Sequence, residues 1–184
     1  MQTGKSTLIA TLGLVISSLI APLFASAEKQ ASVKTQRELD QLYSAYLHIQ
    51  DNLAKDDYAT AQKVSADLIP QLQKYPQDLS PKVKTKILLD DVKALKASQD
   101  IAGLRKAFSP FSDHMALVMS SADYQGVNPV LEFECPMAND QKGGRWLQSK
   151  PQTANPYFGS AMLTCGTLKN RIREGKTQAH EAHH

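Results

Sequence analysis

The chain has few of the residues from which catalytic and nucleic-acid sites are usually assembled. It has no Cys-x-x-C pair, no Gly-rich phosphate loop, no nucleophile elbow and no paired carboxylates in a cleft-forming pattern, so we expect it not to be an enzyme. The two-histidine, one-cysteine spacing of a blue-copper electron-transfer site is also missing. Basic residues outnumber acidic ones only slightly, 21 against 18, and are interspersed instead of clustered, which argues against a nucleic-acid partner. Before Gly126 there is no cysteine and little glycine. Both cysteines, the single tryptophan and most of the glycines beyond residue 27 fall between Gly126 and Gly166. Whatever chemistry the chain performs is therefore expected in its C-terminal third.

Residues 1–27 read as a secretory signal peptide. Lys5 supplies a positive start, Leu8 to Leu23 is largely apolar, and Ala25-Ser26-Ala27 is a small-residue cleavage site. Thr11, Gly13, Ser17, Ser18 and Pro22 interrupt the apolar run, which favours a leader over a permanent transmembrane helix, and no cysteine follows to carry a lipid. The expected mature chain, 28–184, is one domain by length, periplasmic, with no stable membrane insertion after cleavage. That compartment is oxidising, so a close cysteine pair there forms a disulfide by default.

Apolar residues then recur at helical spacing. Leu39, Leu42, Tyr43, Tyr46, Leu47 and Leu53 predict one amphipathic helix, with His48 beside the stripe. Asp56-Asp57 offers a cap for a second, bearing Ala61, Val64, Leu68 and Leu72, which Pro70 should kink or end. Ser80-Pro81 suggests the start of a third, with Val83, Ile87, Leu88, Val92 and Leu95 buried, and Asp100 caps a fourth carrying Ile101, Leu104, Phe108, Phe111, Met115 and Val118, with a kink expected at Pro110. The expected fold is all-α: an antiparallel up-and-down four-helix bundle over 28–125, closed by a Cys/Met-containing loop cap over 126–176. Val130 to Glu134 alternates as a short half-exposed strand would, with Ala161 to Leu168 as a partner for a small hairpin. Residues 177–184 are expected to be a disordered tail; its His180, His183 and His184 suit weak binding of Cu(II), Zn or Ni, or belong to a non-native appendage.

Within the cap, Cys135 and Met137 flank Pro136, which stiffens the link between them, and Met162 and Cys165 are close enough to share one side of a turn. Two thiols and two thioethers suit Cu(I) or Ag(I) and suit Mg or Ca poorly. The same pattern is met by a Cys135–Cys165 disulfide with Met137 and Met162 as core fillers, and the residues alone leave both readings open. Further candidates are His114, Met115 and Met119 on the fourth helix, though at helical spacing these residue types more often pack a core. Trp146 is either a cation–π partner or a plug over the cap, and Asn155-Pro156-Tyr157-Phe158-Gly159 is a rigid turn that sets shape.

Cys-Pro-Met-Ala at 135–138, Gly143-Gly144-Arg145-Trp146-Leu147, Asn155-Pro156-Tyr157-Phe158-Gly159 and Met162-Leu163-Thr164-Cys165-Gly166 follow one another in an order that resembles a secreted bacterial domain family of formerly unknown function. That family occurs alone and as the C-terminal extension of copper- and silver-efflux membrane-fusion proteins. Tyr46 to Ala54 followed by Asp56-Asp57, and Phe108-Ser109-Pro110-Phe111-Ser112, resemble its helical half. The resemblance implies a periplasmic copper-binding protein, a buffer or metallochaperone in metal resistance, with Cys135, Met137, Met162 and Cys165 as ligands and Cu(I) the favoured ion. It implies as partner a copper-efflux membrane-fusion protein or another periplasmic copper protein. Many relatives place a histidine before the first cysteine, where this chain has Glu134, so that ligand is missing here. The competing expectation is a disulfide-stapled helical interaction protein of the cell envelope with no metal site.

Overall fold

A computed structural model describes residues 21–174, and the chain divides into two compact units, 1–34 and 35–184. In the first, the described backbone is helical. Residues 1–20 of the expected leader, and the tail with His180, His183 and His184, lie outside the described residues. Among the described residues no helix is long and apolar enough to cross a membrane.

The helical half runs α1 (Ala21–Ala54), α2 (Tyr58–Leu72), α3 (Thr85–Ala97) and α4 (Ile101–Ser121). Two of the expected caps form: Asp57 accepts from the Thr60 amide and Asp100 from the Gly103 amide, each satisfying a donor that the first helical turn leaves without a partner. Ser80-Pro81 does not start α3. The Ser80 hydroxyl instead accepts from the Val83 amide in a local turn, and the helix begins four residues beyond Pro81 with no side-chain cap. In consequence Ile87 points outward, 39% exposed, while Thr85, Leu88, Val92 and Leu95 face the core. Pro70 lies in the last turn of α2, and α4 continues through Pro110 without a break.

The expected all-α fold is corrected: among the described residues five α-helices combine with a three-stranded antiparallel sheet, so the architecture is mixed α and β. Strands β1 (Val130–Cys135), β2 (Gly144–Gln148) and β3 (Thr167–Arg173) lie in the order β2-β1-β3, with a one-turn α5 (Ala138–Gln141) between the first two. β1 is thus a central strand and not half of a hairpin. Even Glu132 is buried in it, its carboxylate held by Arg145 of β2 and Asn170 of β3. Of the glycine pair at 143–144, only Gly143 is left-handed. Gly144 is a strand residue whose missing side chain admits its neighbours: a Cβ there would lie 2.7 Å from Tyr157 and 2.8 Å from Ala138.

One hydrophobic core joins helices and sheet. Tyr46 and Phe108 stack at 5.5 Å, Phe133 and Trp146 at 5.7 Å, and Tyr157 packs edge-on against both Phe108 and Trp146. The buried Tyr46 hydroxyl accepts from the Leu147 amide at 2.8 Å and bonds Ser112 at 2.6 Å, linking α1, α4 and β2 through one oxygen.

Candidate functional site

Sheet register accounts for the meeting of the two cysteines. β1 and β3 pair Phe133 with Leu168 and Glu134 with Thr167; one further step brings Cys135 level with Gly166, beside Cys165. Their sulfurs are 2.6 Å apart, Cys135 fully buried and Cys165 partly exposed. The neighbouring thiol of Cys135, and after it burial, pushes the Cys165 thiol up from its ordinary range. Gly166, at φ +131°, lies against Trp146, where a Cβ would meet the indole at 2.4 Å. Trp146 is fully buried, stacked on Phe133 and hydrogen-bonded to Gln148 at 2.9 Å, so it serves as the plug.

The segment carrying Cys165 is held by the Asn155-Pro156-Tyr157 turn. The Asn155 side chain donates to the Cys165 carbonyl at 2.7 Å and accepts from the Tyr157 amide at 2.8 Å, while its own amide donates to the Leu163 carbonyl. A second anchor comes from Asp56, itself left-handed at φ 62°. Its carboxylate accepts from the Ser160 amide and from Arg105, and Arg105 also donates to the carbonyls of Leu53 and Pro156. Those hydrogen bonds, from Ser160 first and then Arg105, hold the Asp56 carboxyl down to about 2. Asn155 lay within a motif already read as shape-setting. Asp56 and Arg105, 49 positions apart, carried no sequence signal of their contact.

Met137 and Met162 open on one groove of about 880 Å³, lined also by Lys106, Lys142 and Phe158, and are 47% and 38% exposed. Also lining it is a turn that L-residues rarely sustain, with Asn139, Asp140 and Gln141 at φ 53°, 56° and 65°. Asn139 secures it by donating to Ser109 of α4 and to the Gly143 carbonyl. The turn follows Met137 directly and so fixes how the Cys-Pro-Met segment leaves the sheet.

The four leading candidates therefore fall into two groups, the touching cysteines and the two groove-lining methionines, and neither cysteine lines that groove. The further candidates lie elsewhere. Met115 and Met119 are core residues, and His114 is engaged with Asp91 of α3 at 2.7 Å. Burial raises the Asp91 carboxyl, and His114 opposes that shift. Glu134 is ion-paired with Lys169 at 2.9 Å. Among the described residues there is no cluster of three or more His, Cys, Asp or Glu that could hold a metal ion.

A family model described as "Protein of unknown function (DUF3347)" matches residues 42–125, from within α1 to just past α4, and ends before the cysteine-bearing sheet. The match agrees with a family of unknown function. No curated protein and no solved structure matches the chain.

Proposed function

We propose that this protein is a periplasmic soft-metal carrier or buffer that takes Cu(I) as cargo at Cys135, Met137, Met162 and Cys165, with Ag(I) as an alternative ion. The observation that supports it is convergence in two pairs: two cysteines 30 positions apart in sequence touch, and the methionines two and three positions from them in sequence open on one shared groove. Thioethers bind without losing a proton and cannot be consumed by disulfide formation, while thiolates supply charge to a monovalent soft cation. An exposed thioether face also gives a partner a way to take the ion by ligand exchange. The leader-like residues 1–27 support the periplasmic assignment, and the resemblance to extensions of efflux membrane-fusion proteins supports a copper-efflux partner.

Titration of the reduced protein, with residues 177–184 removed, by Cu(I) against a competing chromophoric chelator tests this reading. Stoichiometric binding that protects both thiols is the expected result. Absence of binding by protein with both thiols free sinks it. A second reading, a disulfide-stapled envelope interaction protein, is favoured by the sulfur separation of 2.6 Å, well inside ordinary non-bonded contact. It predicts that Cys135→Ser lowers stability by about 2–5 kcal/mol and alters no copper-linked property.

A further inference from the structure

The two thiols differ sharply in access. Cys135 ends the central strand with no exposed surface, whereas Cys165 sits partly exposed on a turn pinned through its amide to Met162 and through its carbonyl to Asn155. An external thiol or disulfide can approach only one member of this touching pair. We propose that Cys135 and Cys165 form a thiol–disulfide exchange site, with Cys165 as the entry sulfur, Cys135 as the resolving sulfur, and an external disulfide or dithiol as co-reactant.

On oxidation, the Cys165 thiolate attacks one sulfur of the external disulfide. A Cys165–S bond forms, the external S–S bond breaks, and the departing thiolate takes up the proton that Cys165 released. Cys135, as thiolate, then attacks Cys165 Sγ; the Cys135–Cys165 bond forms, the mixed bond breaks, and the second external thiolate leaves with the proton from Cys135. The pair gives up two electrons and two protons, and the external disulfide gains both. Reduction is the reverse: an external thiolate attacks Cys165 Sγ and Cys135 leaves as thiolate. A consequence that rests on the copper reading is that oxidation removes both thiolates and leaves only the Met137 and Met162 thioethers, so the ion is released.

The test uses the whole chain, reduced and freed of metal by a chelator. Wild type is treated with limiting iodoacetamide and mapped by peptide mass analysis; Cys165 is expected to label at least about tenfold faster than Cys135. Oxidised glutathione is expected to leave a trapped adduct on Cys165 in Cys135→Ser, and a much slower one on Cys135 in Cys165→Ser. Equal labelling, or Cys135 first, in the wild type overturns the assignment without depending on how either variant folds. Cu(I) titrations of the reduced and glutathione-oxidised protein separate this inference from the function it extends. If the reduced protein fails to bind, the copper reading falls while the exchange order stands; if both forms bind equally, release on oxidation is overturned while the copper site stands.

Discussion

The helical half and the sheet cap hold themselves together by different means. Helices α2 and α4 start on caps drawn from the residue just before them, and α3 packs on both, so much of this half is fixed by neighbours in sequence. The cap is fixed from a distance: Tyr46 to Leu147, Gln50 to Ala154 and Asp56 to Ser160 each span more than 100 positions. Methionine shows the same contrast. Met115 and Met119 are sealed in the helical core, while Met137 and Met162 face the groove. The difference teaches that the cap takes its geometry from the helices. Damage to the helices should therefore reach the cap, whereas changes to the cap's sulfur residues should leave the helices standing.

Phe108→Ala offers the harshest test of that dependence. Phe108 is fully buried between Tyr46, Phe111 and Tyr157, and its truncation should cost about 3–5 kcal/mol, with loss of helical circular dichroism and of buried Trp146 fluorescence in one transition. Two separate transitions would show that the halves are not coupled in this way. A paired methionine experiment comes next. Met162→Leu should lower Cu(I) affinity by about 10–100-fold on the chelator assay while stability changes by less than about 1.5 kcal/mol. Met115→Leu should cause a similarly small stability change and leave Cu(I) affinity alone. Equal effects of the two on affinity would remove the distinction between core and groove methionines.

How much of this was legible in the sequence follows the same division. The helical stripes and the caps at Asp57 and Asp100 were readable because each depends on residues within a turn of one another. Ser80-Pro81 misled because a hydroxyl that caps a helix serves equally well to close a turn. The sheet was underestimated for two reasons. Gly144 is needed for close approach of Tyr157, yet in sequence it resembles a breaker, and the β3 pairing overlaps the expected partner segment, Ala161 to Leu168, only at Thr167 and Leu168 before running on to Arg173. Cys135, Met137, Met162 and Cys165 stood out through the softness of their sulfur atoms. That Asn155 and Asp56 would hold the segment bearing Cys165 was not readable, since polar residues give no periodic signal of a distant partner.

Tyr46→Phe sharpens the comparison at the seam itself. It leaves the ring packing in place and removes the oxygen shared by Leu147 and Ser112, so a buried amide loses its acceptor at a cost of about 1–3 kcal/mol. Amide exchange should accelerate at Leu147 more than within α2 or α3. Uniform acceleration would mean that the hydroxyl supports the whole fold and not the seam.

The smallest effect is a pH dependence confined to the segment around Ser160. The folded Asp56 carboxyl, at about 2, lies below the unfolded aspartate value of about 3.9, so the stability it contributes is fully present above that value. It is lost as pH falls toward 2, when protonation removes the charge accepting from Ser160 and Arg105. Asp57, lowered by the Thr60 amide it caps, changes in the same direction but acts on the start of α2. Asp56→Asn keeps the size of the side chain and abolishes the titration. Acid-protease cleavage between 155 and 165 should rise in the wild type between about pH 4 and pH 2 and should be raised in the variant throughout that range. Parallel profiles for the two proteins would show that Asp56 does not tie this segment down. The acid sensitivity would then have to come from carboxylates elsewhere, and one of the cap's long-range ties would be lost from the comparison.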